Sequence, residues 1–258
     1  MSIPVFEGFG FKPDRDPASA LPGDLGPPAT VPSGPALDAA SAYATKRGGL
    51  ISFATIDSAG RLRGHHADRQ YAAASVIKAM VLAAELGRLK ETHTPIDANT
   101  DSLLTAMITR SDNAATDVIY DRVGDAGLHA IAERAGMTGF DISGYWGNAQ
   151  ITAADMARFF GALDRMLPRG HREYGQGLLG SVIPSQSWGI PEAAGSSWAA
   201  RFKGGWLPGH ALVHQAAELR ERNGPREISL VVLTDEQPSF EYGIQTVRGL
   251  ARRLLTPG

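Results

Sequence analysis

Five segments with helical spacing follow one another between residues 75 and about 167, with strand-like segments on either side of the block. SVIKAMVLAAEL, TDSLLTAMITR, NAATDVIYDRV, GLHAIAERAG and TAADMARFFGALDRML each repeat apolar residues at three- and four-residue intervals, which gives a helix one buried face. Upstream, residues 36–47 read as an alanine-rich helix entered through Ser33-Gly34-Pro35 and ended by Gly48-Gly49. Residues 50–56 and 61–66 then read as a hairpin around Asp57-Ser58-Ala59-Gly60. Downstream of a Gly/Pro/Ser/Trp-rich stretch at 176–197, strand patterns resume at 201–203, 210–219 and 227–234, and an amphipathic helix closes the chain at 242–255. Two strands before the block and three after it predict an α/β (α+β) fold: an antiparallel five-stranded sheet flanked by helices, with an inserted all-helical lobe. The expected division is an extended Pro/Gly/Ala-rich arm at 1–35, a sheet lobe from 36–70 and 195–258, and a helical lobe from 71–194.

Composition removes several functions from consideration. A net charge of −2, from 25 basic and 27 acidic residues, supplies no basic surface for nucleic acid. The absence of cysteine excludes disulfides, thiolate catalysis and cysteine-ligated zinc. His65-His66 has neither an H-x-x-x-H partner nor clustered acids, so it reads as two strand-end histidines and no metal site is expected. No run of about 18 apolar residues suggests a membrane span, and the N-terminus lacks a basic n-region and an apolar h-region. The sequence as given reads as cytoplasmic, or as exported had a signal peptide been cleaved from it. Its oligomeric state is not legible.

Three short motifs carry chemistry. Ser75-Val76-Ile77-Lys78 opens a helix, where positions three apart share a face, so hydroxyl and ammonium project together as a nucleophile and its base would. The first turn adds unpaired N–H groups and the positive end of the helix dipole, and apolar neighbours favour a neutral lysine. An S-x-x-K match alone arises by chance in about a third of such chains and reads equally well as an N-cap followed by a surface lysine. Ser111-Asp112-Asn113, at a break between helices, has a chance frequency of about 2%, although all three residue types are also good N-caps. Lys203-Gly204-Gly205 ends a strand-like segment; its glycines let the backbone approach an acyl group, and the Trp206 N–H is placed to serve as an oxyanion donor. Alone, this tripeptide reads as a basic residue before a turn.

In this order, with a helical block between them, the three motifs resemble those of the class A β-lactamases and penicillin-binding proteins, the penicillin-recognising serine hydrolases. The resemblance extends over about residues 36–255. It implies an active site between the two lobes, a small-molecule acyl substrate and no cofactor. Position by position it implies Ser75 as acylated nucleophile, Lys78 as its base, Ser111 as proton shuttle to the leaving group and Lys203 as the electrostatic neighbour of Ser111. Asn113 would donate to a substrate amide, and Ser75 and Trp206 would supply oxyanion N–H groups.

Two departures qualify it. The family carries a hydroxyl residue between the Lys and Gly of the third motif, where it helps hold a substrate carboxylate; here that residue is Gly204. The loop that carries the deacylating glutamate in class A enzymes corresponds to residues 137–152 (MTGFDISGYWGNAQIT), which contain no glutamate. Asp141, Tyr145, Asn148 and Gln150 are its polar contributors, and Tyr145, Trp146 and Asn148 are expected near the substrate with Gly204 and Gly205. At least one of Trp146, Trp188, Trp198 and Trp206 is expected to line the pocket. The predicted activity is hydrolysis or transfer of an ester or amide acyl group, with inefficient β-lactam turnover. A D-Ala-D-Ala peptidase and a non-catalytic binding protein on the same fold are the alternatives.

Overall fold

The computed structural model describes residues 31–256 apart from 208 and 210. Helix α1 (Gly34–Lys46) begins where Ser33 accepts the Ala36 N–H at 3.3 Å, with Pro35 in its first turn and a buried stripe of Ala36, Ala40 and Ala44. Most of the expected arm lies outside the described residues. Its described end packs down, because Val31 is buried in the same core as Ala40 and Ala44. Gly49, at φ +80°, turns the chain from α1 into β1 (Leu50–Asp57); a Cβ there would stand 2.5 Å from the Asp235 carbonyl oxygen, which only glycine avoids. Asp57 Oδ1 accepts the N–H groups of Ala59 and Arg61, each at 3.0 Å, and so reverses the chain into β2 (Leu62–His65).

Next come β3 (Gln70–Ala72), a 3-10 turn at Ala74–Ile77, α2 (Lys78–Glu91), α3 (Ala98–Thr109), α4 (Asn113–Ala135) and β4 (Gln150–Thr152). The chain continues through α5 (Ala153–Gly161), α6 (Leu163–Met166), α7 (Arg172–Leu179), α8 (Ile190–Ala194), β5 (Trp198–Leu207), β6 (Leu212–Glu221), β7 (Glu227–Asp235) and α9 (Phe240–Leu255). The sheet has the five antiparallel strands that the sequence predicts, and the fold sets them in the order β2-β1-β7-β6-β5. Alternation along the strands sorts its residues onto two faces. Phe53, Val213, Ala217, Leu230 and Val232 join one core with α1, α8 and α9, whereas Ala54, Ala216, Val231 and Leu233 join the core of the helical block. Within that block α2 is buried on nearly every side, from Lys78 through Leu86. Gly124, at φ +60° and ψ −175°, divides α4 into the two periodic segments seen in the sequence, and Gly136 at φ +71° ends it.

Three features depart from the sequence-based layout. Strands β3 and β4 pair as a separate two-stranded sheet; at three residues each they are too short to show alternation. Helix α7 occupies residues whose glycines suggest a loop. Gly175 packs closely there, since a Cβ would approach Leu86 and Leu167 to 3.0 and 3.1 Å. Finally, Val182, Ile190 and Ala194 join the α1/α9 side of the sheet, although the expected lobe boundary assigns residues up to 194 to the helical lobe. No helix among the described residues is long and apolar enough to cross a membrane.

Candidate active site

Ser75 lies in the 3-10 turn that runs directly into α2, so its first turn is tighter than the α-helical turn expected from S-x-x-K spacing. Lys78 is the first residue of α2 and has no exposed surface, while Ser75 remains partly exposed. The Lys78 ammonium donates to the Ser111 carbonyl at 2.7 Å and to Asn113 Oδ1 at 2.6 Å, and lies 3.5 Å from Ser111 Oγ. Ser111 offers both of its oxygens because it adopts φ +60°, a left-handed conformation that a non-glycine residue holds only at a cost of about 1–3 kcal/mol. The capping reading of Ser-Asp-Asn is realised at its middle residue. Asp112 caps α4 by accepting the Ala115 N–H at 2.7 Å, while its two neighbours face Lys78.

From the sheet side, Lys203 on the edge strand β5 is equally buried and donates to Ser111 Oγ at 3.0 Å and to the Gly204 carbonyl at 2.8 Å. Burial pulls the Lys78 amine down to about 8, with Asp112 and Asp117 opposing it. Burial, joined by the charge of Lys78, pulls Lys203 down to about 7. Two amines that share one hydroxyl cannot both stay charged cheaply, so a neutral amine is available near neutrality for proton transfer through Ser111 Oγ.

Gly205 brings the strand onto the 3-10 turn that carries Ser75. A Cβ at this position would lie 2.8 Å from the backbone nitrogens of both Ser75 and Val76. Those are backbone atoms that cannot swing away, so Gly205→Ala should force β5 outward, cost about 1–3 kcal/mol of stability and lower the acylation rate at least tenfold. Acylation at the parental rate in that variant would show that the contact does not set the site's geometry. Trp206 follows directly and pairs with Val213, while Gly204 pairs with Gln215 and is buried.

The loop at 137–152 places its residues differently from expectation. Asn148 is exposed, and its side-chain amide donates to the Ser143 carbonyl at 2.8 Å, which ties it to its own loop. Trp146 is buried; its indole N–H donates to Asp117 Oδ1 at 2.6 Å and its ring centroid lies 5.0 Å from the Lys78 ammonium, so it packs beside the lysine and does not line an open pocket. Tyr145 is exposed and packs against Tyr120 and Trp146. Asp141 is exposed, and its backbone pairs with Gln150. Trp198 is buried at the start of β5, under the Arg226 guanidinium.

Sequence reasoning missed two supports. Asp117, four residues after Asn113 on α4, holds Trp146 against Lys78; its i,i+4 spacing was the available signal. His214, opposite Gly205 in the β5–β6 register, is fully buried. A backbone N–H can only donate, so the Thr234 N–H at 3.1 Å makes His214 Nδ1 an acceptor, and Nε2 therefore donates to the Ala72 carbonyl at 3.1 Å. Burial holds this imidazole down to about 4, which keeps it neutral as a strut between the sheet and the segment leading to Ser75. Only the assembled sheet reveals that role.

The model of the Beta-lactamase enzyme family matches residues 84–256. No curated protein matches the chain. Among solved structures, a β-lactamase from Sphaerobacter thermophilus shares the fold with a TM-score of 0.74 at 20% identity, covering 86% of this chain and 98% of that one. A class A β-lactamase from Mycobacterium abscessus gives 0.72 at 19%, covering 85% and 98%, and the structure of PBP-A gives 0.73 at 17%, covering 84% and 93%. Matched by the family model over well more than half its length, and sharing this fold across nearly all of these proteins, the chain belongs to the beta-lactamase enzyme family.

Proposed function

We propose that the protein is a serine hydrolase or acyltransferase that works through an acyl-Ser75 intermediate on an ester or amide and turns over ordinary β-lactams poorly. The observation that carries this reading is the convergence of Lys78 and Lys203, both buried, on the single hydroxyl of Ser111. In the proposed reaction Ser75 Oγ attacks the acyl carbonyl while the Lys78 amine takes its proton. The carbonyl oxygen is held by the Ser75 and Trp206 N–H groups, and Ser111, bonded to the Lys203 nitrogen, passes the proton to the leaving group. Asn113 spends its oxygen on Lys78, and its NH2 group serves as donor to a substrate carbonyl. Gly205 lets β5 lie against the Ser75–Val76 turn, and Gly204 is buried beside Gln215 and Trp188.

Hydrolysis of the acyl-enzyme also needs a base aimed at water. The loop that supplies a glutamate in class A enzymes presents the Trp146 ring to Lys78 instead, and its one carboxylate, Asp141, belongs to an exposed residue. If a penicillin or cephalosporin acylates Ser75, the adduct should therefore persist for minutes or longer, and nitrocefin turnover should stay far below the median enzyme rate of about 10 per second. Intact mass spectrometry during turnover checks this. Fast nitrocefin hydrolysis with no accumulating adduct would show that another group activates the water.

A further inference from the structure

Three partly exposed aromatic rings meet beside Gly204, from three separate places in the chain. Trp188 comes from the segment before α8, Trp206 from β5 and Phe240 from the start of α9; their centroids are 6.2 Å (Trp188 to Trp206), 6.0 Å (Trp188 to Phe240) and 6.3 Å (Trp206 to Phe240) apart. At these separations the rings pack on one another as one apolar surface and leave no cage between them. The surface reaches the position directly after Lys203, because Trp188 Cη2 lies 3.8 Å from where a Gly204 Cβ would stand, and Trp206 shares that side of the strand. Gln215, across the strand pair from Gly204, cannot supply a polar anchor. Its Nε2 donates to the Trp188 carbonyl at 2.6 Å and its Oε1 accepts the Ile190 N–H at 2.7 Å, so its buried amide is spent on holding the Trp188 segment. The Lys203 ammonium is engaged by Ser111 Oγ and the Gly204 carbonyl. A carboxylate placed here would give up water for aromatic carbon, whereas an apolar group would bury favourably.

We infer that Trp188, Trp206 and Phe240 form the leaving-group subsite and select esters or amides whose leaving alcohol or amine is neutral and apolar, with Trp188 as the specificity-determining residue. The assignment to the leaving-group side rests on the acyl-Ser75 reading, in which Ser111, bonded to Lys203 next to Gly204, hands over the proton. In that step the bond from Ser75 Oγ to the acyl carbon forms, and the bond from that carbon to the leaving oxygen or nitrogen breaks. The bonding pair stays on the leaving atom, which receives the proton first held by Ser75.

Two phenyl esters with the same acyl group test this: one whose leaving phenol carries a meta-carboxylate, the other its neutral methyl ester, each rate divided by that of alkaline hydrolysis. The neutral ester should have a kcat/KM at least tenfold higher. Trp188→Ala should bring the ratio toward one, and Trp188→Phe should keep most of it. A parental ratio of one or below, or a ratio unmoved in a folded Trp188→Ala protein, overturns the assignment. Calorimetric binding of the corresponding non-ester phenyl ethers to Ser75→Ala separates this inference from the acyl-enzyme reading. Tenfold tighter, Trp188-dependent binding of the neutral ether without any ester turnover leaves the subsite standing and removes the acyl-Ser75 chemistry. Turnover without preference removes the subsite alone, and neither turnover nor binding preference removes both.

Discussion

Lys78→Ala should lower the rate of Ser75 acylation by about a hundredfold or more, the usual contribution of a positioned general base. The effect is expected to be large because the Lys78 side chain has no accessible surface and its nitrogen is fixed by the Ser111 carbonyl and Asn113 Oδ1. Lys78→Met, which preserves most of the packed volume, should lose a similar factor and so separate loss of the base from loss of packing. The pH dependence has a definite sign. Burial lowers both lysines, Lys78 to about 8 and Lys203 to about 7, so the neutral amine is scarce at pH 6 and plentiful above pH 8. Parental acylation should therefore rise by about tenfold or more from pH 6 to pH 8 and then level off, and Lys78→Met should lose that rise. An acylation rate flat across pH 6 to 9 in the parent, or one unaffected by Lys78→Met, would assign the base elsewhere.

The parts of this architecture that sequence reveals are those whose signal is local. The five helical segments, the hairpin around residues 57–60 and the late strands all carry their periodicity in consecutive residues, and each appears in the structure with ends shifted by a few positions. The three-residue strands β3 and β4 carry no such signal, since neither is long enough to alternate and their pairing joins residues some eighty apart. Helix α7 is masked because its second half falls in the Gly/Pro/Ser/Trp-rich stretch that begins at residue 176. At the site, motif spacing brings Ser75 and Lys78 into one helical turn, but only the fold brings Lys203 to the same hydroxyl as Lys78, 92 positions after Ser111. Composition cannot show that Asn148 turns back to its own loop or that Trp188 covers Gly204. Both depend on where a long connection lands, and the Gln215 clamp on the Trp188 segment becomes visible only once β5 and β6 are paired.

Ser75→Ala should abolish covalent modification altogether, the largest effect expected of any single substitution. Lys78 is held by the Ser111 carbonyl and β5 closes on the Ser75 backbone, and in the proposed reaction neither supplies a nucleophile of its own at the acyl carbon. Removing one partly exposed hydroxyl leaves the buried surroundings of α2 intact, so the variant should melt within a few degrees of the parent. The decisive measurement is intact mass after exposure to a fluorophosphonate probe, with the modified peptide sequenced. The parent should gain one adduct, on Ser75, and Ser75→Ala should gain none. A folded parent that stays unmodified, or a Ser75→Ala protein that labels as fully as the parent, would contradict an acyl-enzyme mechanism centred on this residue.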